Sequence, residues 1–252
     1  MLLCADLGNT SVTFGIFEGE KLLRQWHVPV EDFPELDPLW NEQHFADPGS
    51  VIVASVNPPA YELLVAWMRR RFSLMPLTVG REVKISMPVL LKKPREIGAD
   101  RLVNALAGFS IYGGPLIVVD FGSAVTFDVI SEKGEYMGGA IAPGIRLSAQ
   151  ALAQKTALLP EVRPQVRPPV IGRSTRGAIA SGLYHGFLGL VSEMVARISS
   201  ELGAKPRVIA TGGDADIIAE EASEIEETVL DLTLQGLRIA FAQHMNKAGS
   251  QE

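Results

Sequence analysis

One short pattern occurs twice in this chain, and its repetition limits the possible folds more than any other feature. Asp6-Leu7-Gly8-Asn9-Thr10-Ser11-Val12-Thr13 stands near the start, and Asp120-Phe121-Gly122-Ser123-Ala124-Val125-Thr126 in the middle. Each copy closes an apolar run with Asp-x-Gly and small hydroxyl or amide residues, then enters a second run of β type. A lone Asp-x-Gly is an ordinary turn. Two copies in corresponding positions indicate an internal duplication. Glycine between two strands lets the turn approach a bulky anion, and the Asn, Ser and Thr that follow offer donors to its oxygens. The preceding aspartate would repel phosphate and is better suited to a cation or that cation's waters. Two such hairpins, facing each other across a cleft, would hold a nucleotide triphosphate from both sides.

Duplication predicts two similar halves, 1–114 and 115–252, separated at Gly113-Gly114-Pro115. A chain of 252 residues with 47% hydrophobic content can bury a core in each. Lys and Arg total 23 against 29 Asp and Glu, a net charge of −6 that argues against nucleic acid as the main partner. The single cysteine, Cys4, excludes an intrachain disulfide and fits a reducing compartment. Asp6 interrupts the apolar start at once, so no signal peptide or membrane span is expected there, and a cytoplasmic protein follows. His27, His44, His185 and His244 are scattered, without a zinc-ligand spacing.

Alternating strands and helices predict an α/β layer architecture. Leu2 to Leu7, Val12 to Phe17 and Lys21 to Val28 read as strands. Glu31 to Ser50, acidic and carrying Pro34, Pro38 and Pro48, reads as an irregular connection or weak helix. Val51 to Val56 is a buried-strand pattern, followed by Asn57-Pro58-Pro59 and a helix ending in Arg69-Arg70-Arg71, where basic residues complement the helix dipole. In the second half, Leu116 to Val119 is another buried strand. Pro160 to Val170 is an extended connector leading to Ser174-Thr175, a helix N-cap. The helix from about Arg176 to Leu202 carries Gly182, Gly186 and Gly189, a stripe that permits close approach of another helix, within the chain or across a dimer.

Three further elements bear on chemistry. Thr211-Gly212-Gly213 runs from a strand into a helix, where a flat base or ribose can lie against the backbone. Gly138 to Gly144 also turns from strand to helix, and its glycines either flank a cleft or permit tight packing. Pro94 to Arg101 precedes an apolar helical pattern and places Asp100 at or near the helix start. There Asp100 is either an N-cap beside a surface ion pair or the acidic group that a phosphotransferase needs to accept a hydroxyl proton.

In this order, Asp6-x-Gly-Asn-Thr, Gly98-Ala99-Asp100-Arg101, Asp120-x-Gly-Ser-Ala-x-Thr, Gly138 to Gly144, Thr175, Thr211-Gly-Gly and the tail Leu232-Thr233-Leu234-Gln235-Gly236-Leu237 closely resemble the type III pantothenate kinases. The hairpins alone are generic to the acetate and sugar kinase, heat-shock ATPase and actin superfamily. The Gly98 to Arg101 element narrows the match.

The resemblance implies two ribonuclease-H-like, actin-like ATPase halves, each a mixed sheet flanked by helices, with a cleft between them. It also implies a homodimer with active sites at its interface, and ATP-dependent phosphorylation of the pantothenate 4′-hydroxyl, opening coenzyme A synthesis. Asp6, Leu7, Gly8, Asn9, Thr10, Ser11, Val12 and Thr13 would bind ATP, with Asp6 organising magnesium, directly or through water, and Ser123 contacting phosphate. Asp120 would hold a monovalent cation, potassium or ammonium. Gly98, Ala99, Asp100 and Arg101 would bind pantothenate, with Asp100 as proton acceptor, and Thr175 would reach that site from the partner subunit.

Two positions depart from the family pattern. Leu91 stands where many relatives have a tyrosine in the pantothenate pocket, which removes a polar contact, and Ser123 replaces a frequent Thr while keeping the hydroxyl. A non-catalytic regulator on the same fold, or a kinase of another small hydroxy acid, is the competing expectation.

Overall fold

The computed structural model describes residues 1–249, leaving aside the side chain of Arg95. The chain packs as two compact units. One comprises Met1–Pro88, Lys92–Ser110 and residues from Asp231 onward, and the other Val89–Leu91 and Ile111–Leu230. The expected halves meet at residue 114; in packing, the C-terminal helix joins the first unit.

The first unit opens with β1 (Leu2–Leu7), β2 (Ser11–Glu18) and β3 (Lys21–Pro29), an antiparallel meander. A 3-10 turn over Val30–Glu35 and α1 (Leu36–Asn41) lead to β4 (Ser50–Ser55), α2 (Pro58–Phe72) and the short β5 (Leu77–Thr78). β4 pairs parallel to both β1 and β5, giving the order β3-β2-β1-β4-β5. Because β1 is central and covered on both faces, it is apolar at almost every position, and its alternation divides two cores. Leu3, Ala5 and Leu7 face Ala60, Tyr61, Leu64, Trp67 and Met68 of α2. Leu2 and Cys4 face the opposite side, among residues of α3 (Ala99–Tyr112) and the C-terminal helix. Burial raises the Cys4 thiol well above its usual pKa, so it remains a protonated packing group.

The segment read as an irregular connection or weak helix, which holds the 3-10 turn and α1, contributes to the first of these cores. Phe33, Leu36 and Trp40 are buried there, and Trp40 meets Phe72 edge-on at 4.8 Å between centroids. Asp37 of α1 accepts from Trp67 Nε1 at 2.8 Å and pairs with Arg70 at 2.9 Å. The Trp67 hydrogen bond and the Arg70 charge hold its carboxyl below the usual range. Part of the arginine cluster therefore ties α2 to α1.

The second unit repeats the plan. β6 (Leu116–Phe121), β7 (Ala124–Ile130) and β8 (Tyr136–Pro143) form the meander. After α4 (Ile145–Lys155), the connector and α5 (Thr175–Leu202), β9 (Arg207–Thr211) pairs parallel to β6. The chain continues through α6 (Ala215–Ile218) to β10 (Glu227–Thr228). The order β8-β7-β6-β9-β10 matches β3-β2-β1-β4-β5 strand for strand and direction for direction. Ile117, Val119 and Phe121 of β6 pack against Ile179, Leu183, Phe187, Val191 and Val195 of α5. By length and composition α5 is the one helix among the described residues able to cross a membrane, yet this apolar face is committed to the core of the unit.

The last helix, α7 (Leu232–Gly249), closes the first unit against β1 and β4. A Cβ on Gly236 would overlap the Val103 carbonyl of α3, so the tail pattern Leu232 to Leu237 is the seat of a backbone-to-backbone contact. Thr233 Oγ1 donates to Asn104 Oδ1 at 2.7 Å across the same contact.

Candidate active site

Both Asp-x-Gly motifs stand at the carboxyl end of the central strand of their sheet, where ligands of open α/β sheets bind. In the first unit, Gly8 N donates to Ser11 O at 2.9 Å, closing the turn. Asn9 and Thr10 are exposed, and their side chains hold no hydrogen bond among the described residues. Asp6, half-buried, lies across the pair from Thr13, whose hydroxyl meets His27 Nδ1 at 3.2 Å. Asn57 fixes this turn to the scaffold. Its Oδ1 accepts from Ala60 N at 3.2 Å as the N-cap of α2, and its Nδ2 donates to the Asn9 carbonyl at 2.9 Å. An N-cap of this kind contributes about 1 kcal/mol to its helix. The Asn-Pro-Pro sequence marked the passage from strand to helix, while the bond to Asn9 was not legible because 48 positions separate the two residues.

Gly98 to Arg101 comes to the same end of this sheet. Val56 N donates to Leu7 O at 3.1 Å, and a Cβ on Gly98 would sit 3.6 Å from Val56 Cγ1. Leu102 N donates to the Gly98 carbonyl, so the helical turn begins at Gly98 and Asp100 lies inside it. The carboxylate of Asp100 folds back to accept from Arg101 N at 2.8 Å. That placement requires glycine at 98, since a Cβ there would collide with Asp100 Oδ1. Burial raises the Asp100 pKa above the ordinary carboxyl range, opposed by the Arg101 amide and charge. A carboxylate made more basic and held rigidly is suited to taking a proton from a hydroxyl.

In the second unit, Gly122 N donates to Ala124 O at 3.1 Å and Gly144 N to Ser123 O at 3.1 Å, seating the start of α4 on the turn. Ser123 is exposed. The Asp120 carboxylate lies between two glycines. A Cβ on Gly212, which has φ +96°, would fall 2.5 Å from its Oδ1, and one on Gly122 would fall 3.4 Å away. Cross-strand neighbours Thr126 and Thr211 flank Asp120. Thr211-Gly212-Gly213 therefore joins the second Asp-x-Gly turn in one cluster. The options left open for Gly138 to Gly144 divide by position. Gly144 abuts the Ser123 turn, whereas Gly139 has no room for a Cβ beside the Phe127 carbonyl and is a packing glycine.

Leu91 and Thr175 belong to the second unit. Leu91 Cδ2 lies 2.9 Å from where a Gly138 Cβ would be, and Leu90 N donates to Tyr136 O at 2.9 Å, pinning this short segment to β8. Ser174 Oγ accepts from Gly177 N at 3.1 Å as the N-cap, which leaves Thr175 exposed in the first turn of α5. Thr175 makes no hydrogen bond with the Asp120 to Ser123 cluster. Two residues near that cluster carried no signal in the sequence: Arg146 and Asp214, which form an ion pair across 68 positions.

The type III pantothenate kinase family model matches residues 2–197. A type III pantothenate kinase of Dehalococcoides mccartyi is 47% identical over 258 residues, covering 98% of each chain. Among solved structures, a protein described as a Baf family transcriptional activator from Campylobacter jejuni is similar at a TM-score of 0.64 and 22% identity, over 97% of this chain and 99% of that one. An archaeal actin homolog is similar at 0.54 and 11%, over 96% and 99%. At those identities the structures speak to fold alone, and the fold they share is the actin-like one. On the family model, and on near-complete coverage of a close relative, the chain belongs to the type III pantothenate kinase family.

Proposed function

We propose that the protein transfers the γ-phosphoryl group of ATP to the 4′-hydroxyl of pantothenate, forming 4′-phosphopantothenate in the first step of coenzyme A synthesis. Family membership over nearly the whole chain carries this reading. The half-buried, glycine-seated Asp100 supports it chemically. A bond forms between the pantothenate oxygen and Pγ while the bond from Pγ to the ADP oxygen breaks, and Asp100 takes the hydroxyl proton. Asp6 to Thr13 and Ser123 hold the phosphates. Gly98, Ala99 and Arg101 bind pantothenate with Asp100, and Thr175 joins from the partner subunit. Leu91 leaves that pocket less polar than a tyrosine would.

The residues fit the ions this chemistry uses. Magnesium needs few protein ligands when phosphates and water supply the rest, so Asp6 alone at its turn suffices. Asp120, seated between glycines and beside two threonines, suits potassium or ammonium. Both ions neutralise charge on the phosphoryl oxygens when bound.

A homodimer is part of the same reading. Gly182, Gly186 and Gly189 are exposed on α5, and a Cβ on any of them would meet nothing within 4 Å among the described residues. Each glycine costs about 0.8–1 kcal/mol of helix propensity relative to alanine, so a stripe left open among the described residues is accounted for by a second copy packed closely on it. A cytoplasmic location, without nucleic acid or membrane as partners, completes the reading. The test is formation of 4′-phosphopantothenate by the purified protein with ATP and magnesium, comparing potassium with sodium and pantothenate with other small hydroxy acids. Potassium-stimulated product from pantothenate alone supports the assignment, and product only from another acid overturns it.

A further inference from the structure

Arg146, the second residue of α4, bridges the two turns of the second unit. Its Nε donates to Asp214 Oδ1 at 2.5 Å. The α4 end of this bridge is tied to the Ser123 turn through Gly144 N and the Ser123 carbonyl. The other end is tied through Asp214 N to the Phe121 carbonyl, and through Ala215 N to the carbonyl of Gly212. The guanidinium therefore spans from the turn assigned to the phosphates to the turn assigned to the nucleoside.

The pair is unequal in its exposure. The Asp214 side chain is 9% exposed and that of Arg146 is 62% exposed. A surface ion pair formed for stability alone gains little in water. Here the buried carboxylate holds Nε, while the Arg146 side chain as a whole remains well exposed and its terminal amines are not part of that bond. Those amines form the planar fork that recognises phosphate. Resting on the reading of this cluster as an ATP site, we propose that Arg146 is a nucleotide-binding residue. Asp214 orients it by holding Nε, and its terminal amines engage the phosphate chain between the Ser123 turn and Thr211-Gly212-Gly213.

The test is equilibrium binding to the intact protein without pantothenate, using a fluorescent ADP displaced by unlabelled ADP or by adenosine. Arg146→Ala should weaken ADP about tenfold, the loss of one charge-assisted contact, while adenosine displacement and melting temperature stay as in wild type. Arg146→Lys should also weaken ADP, because an ammonium cannot both pair with Asp214 and present a fork. Asp214→Asn should weaken ADP less than Arg146→Ala, since the guanidinium remains but loses its anchor. Unchanged ADP affinity in Arg146→Ala overturns the inference and leaves the kinase reading standing, and so does equal loss of ADP and adenosine with a lowered melting temperature. Failure of the wild-type protein to bind ADP overturns both.

Discussion

Asp100, the proposed proton acceptor, sets that proposed role against stability. Burial raises its folded pKa above that of the unfolded chain. Between those two values the folded protein binds more protons, so its stability falls as pH rises through that window and stays lower above it. Above that window the charged, partly desolvated carboxylate is a cost to the fold. Asp100→Asn is therefore expected to lower turnover by about 10²–10⁴-fold while raising the melting temperature at neutral pH, with the gain shrinking as pH falls toward the ordinary carboxyl range. Melts of both proteins across that range check the sign, and an Asn variant less stable at neutral pH would contradict it. The requirement for glycine at 98 was visible in the sequence only as a motif; its reason, the carboxylate folded over it, is a three-dimensional fact.

At the scale of elements, the parts legible in the sequence were those with strong local periodicity. β1, β2, β6 and β7 announce themselves by apolar runs around Asp-x-Gly, and α5 by its repeat and its Ser174 cap. The stretch from Glu31 to Ser50 did not, because prolines and acidic residues dominate its local signal. Phe33, Leu36 and Trp40 find their places through Trp67 and Phe72 of α2, far along the chain. The docking of α7 is likewise long-range. Thr233 and Asn104 lie 129 positions apart, and no local pattern pairs them. Gly236→Ala should destabilise by roughly 1–3 kcal/mol, as an added methyl at a tight contact does, because its Cβ would meet the Val103 backbone. Chemical denaturation reads this directly, and a neutral result would mean that α7 can shift away from α3 without cost.

For the whole molecule, the duplication inferred from two eight-residue and seven-residue strings extends to five strands in identical order and direction in each unit. What differs between the units is what covers the sheets, and there the long α5 carries a glycine stripe left uncovered among the described residues. Gly186→Leu has open space among the described residues and improves helix propensity, so the fold should persist. In a dimer packed on this face the same change should shift sedimentation from dimer to monomer. A dimer that survives it places the partner elsewhere.

Phosphoryl transfer to pantothenate calls for a group that takes the hydroxyl proton, and Asp100 is the proposed one. Its most direct test is to follow 4′-phosphopantothenate formation from ATP, magnesium and potassium by the wild-type and Asp100→Asn proteins side by side, with ADP binding measured on both. Product from wild type, near-complete loss in Asp100→Asn and similar ADP affinity in the two is the predicted result. Wild-type turnover in the Asn variant, or no product from either, would contradict it.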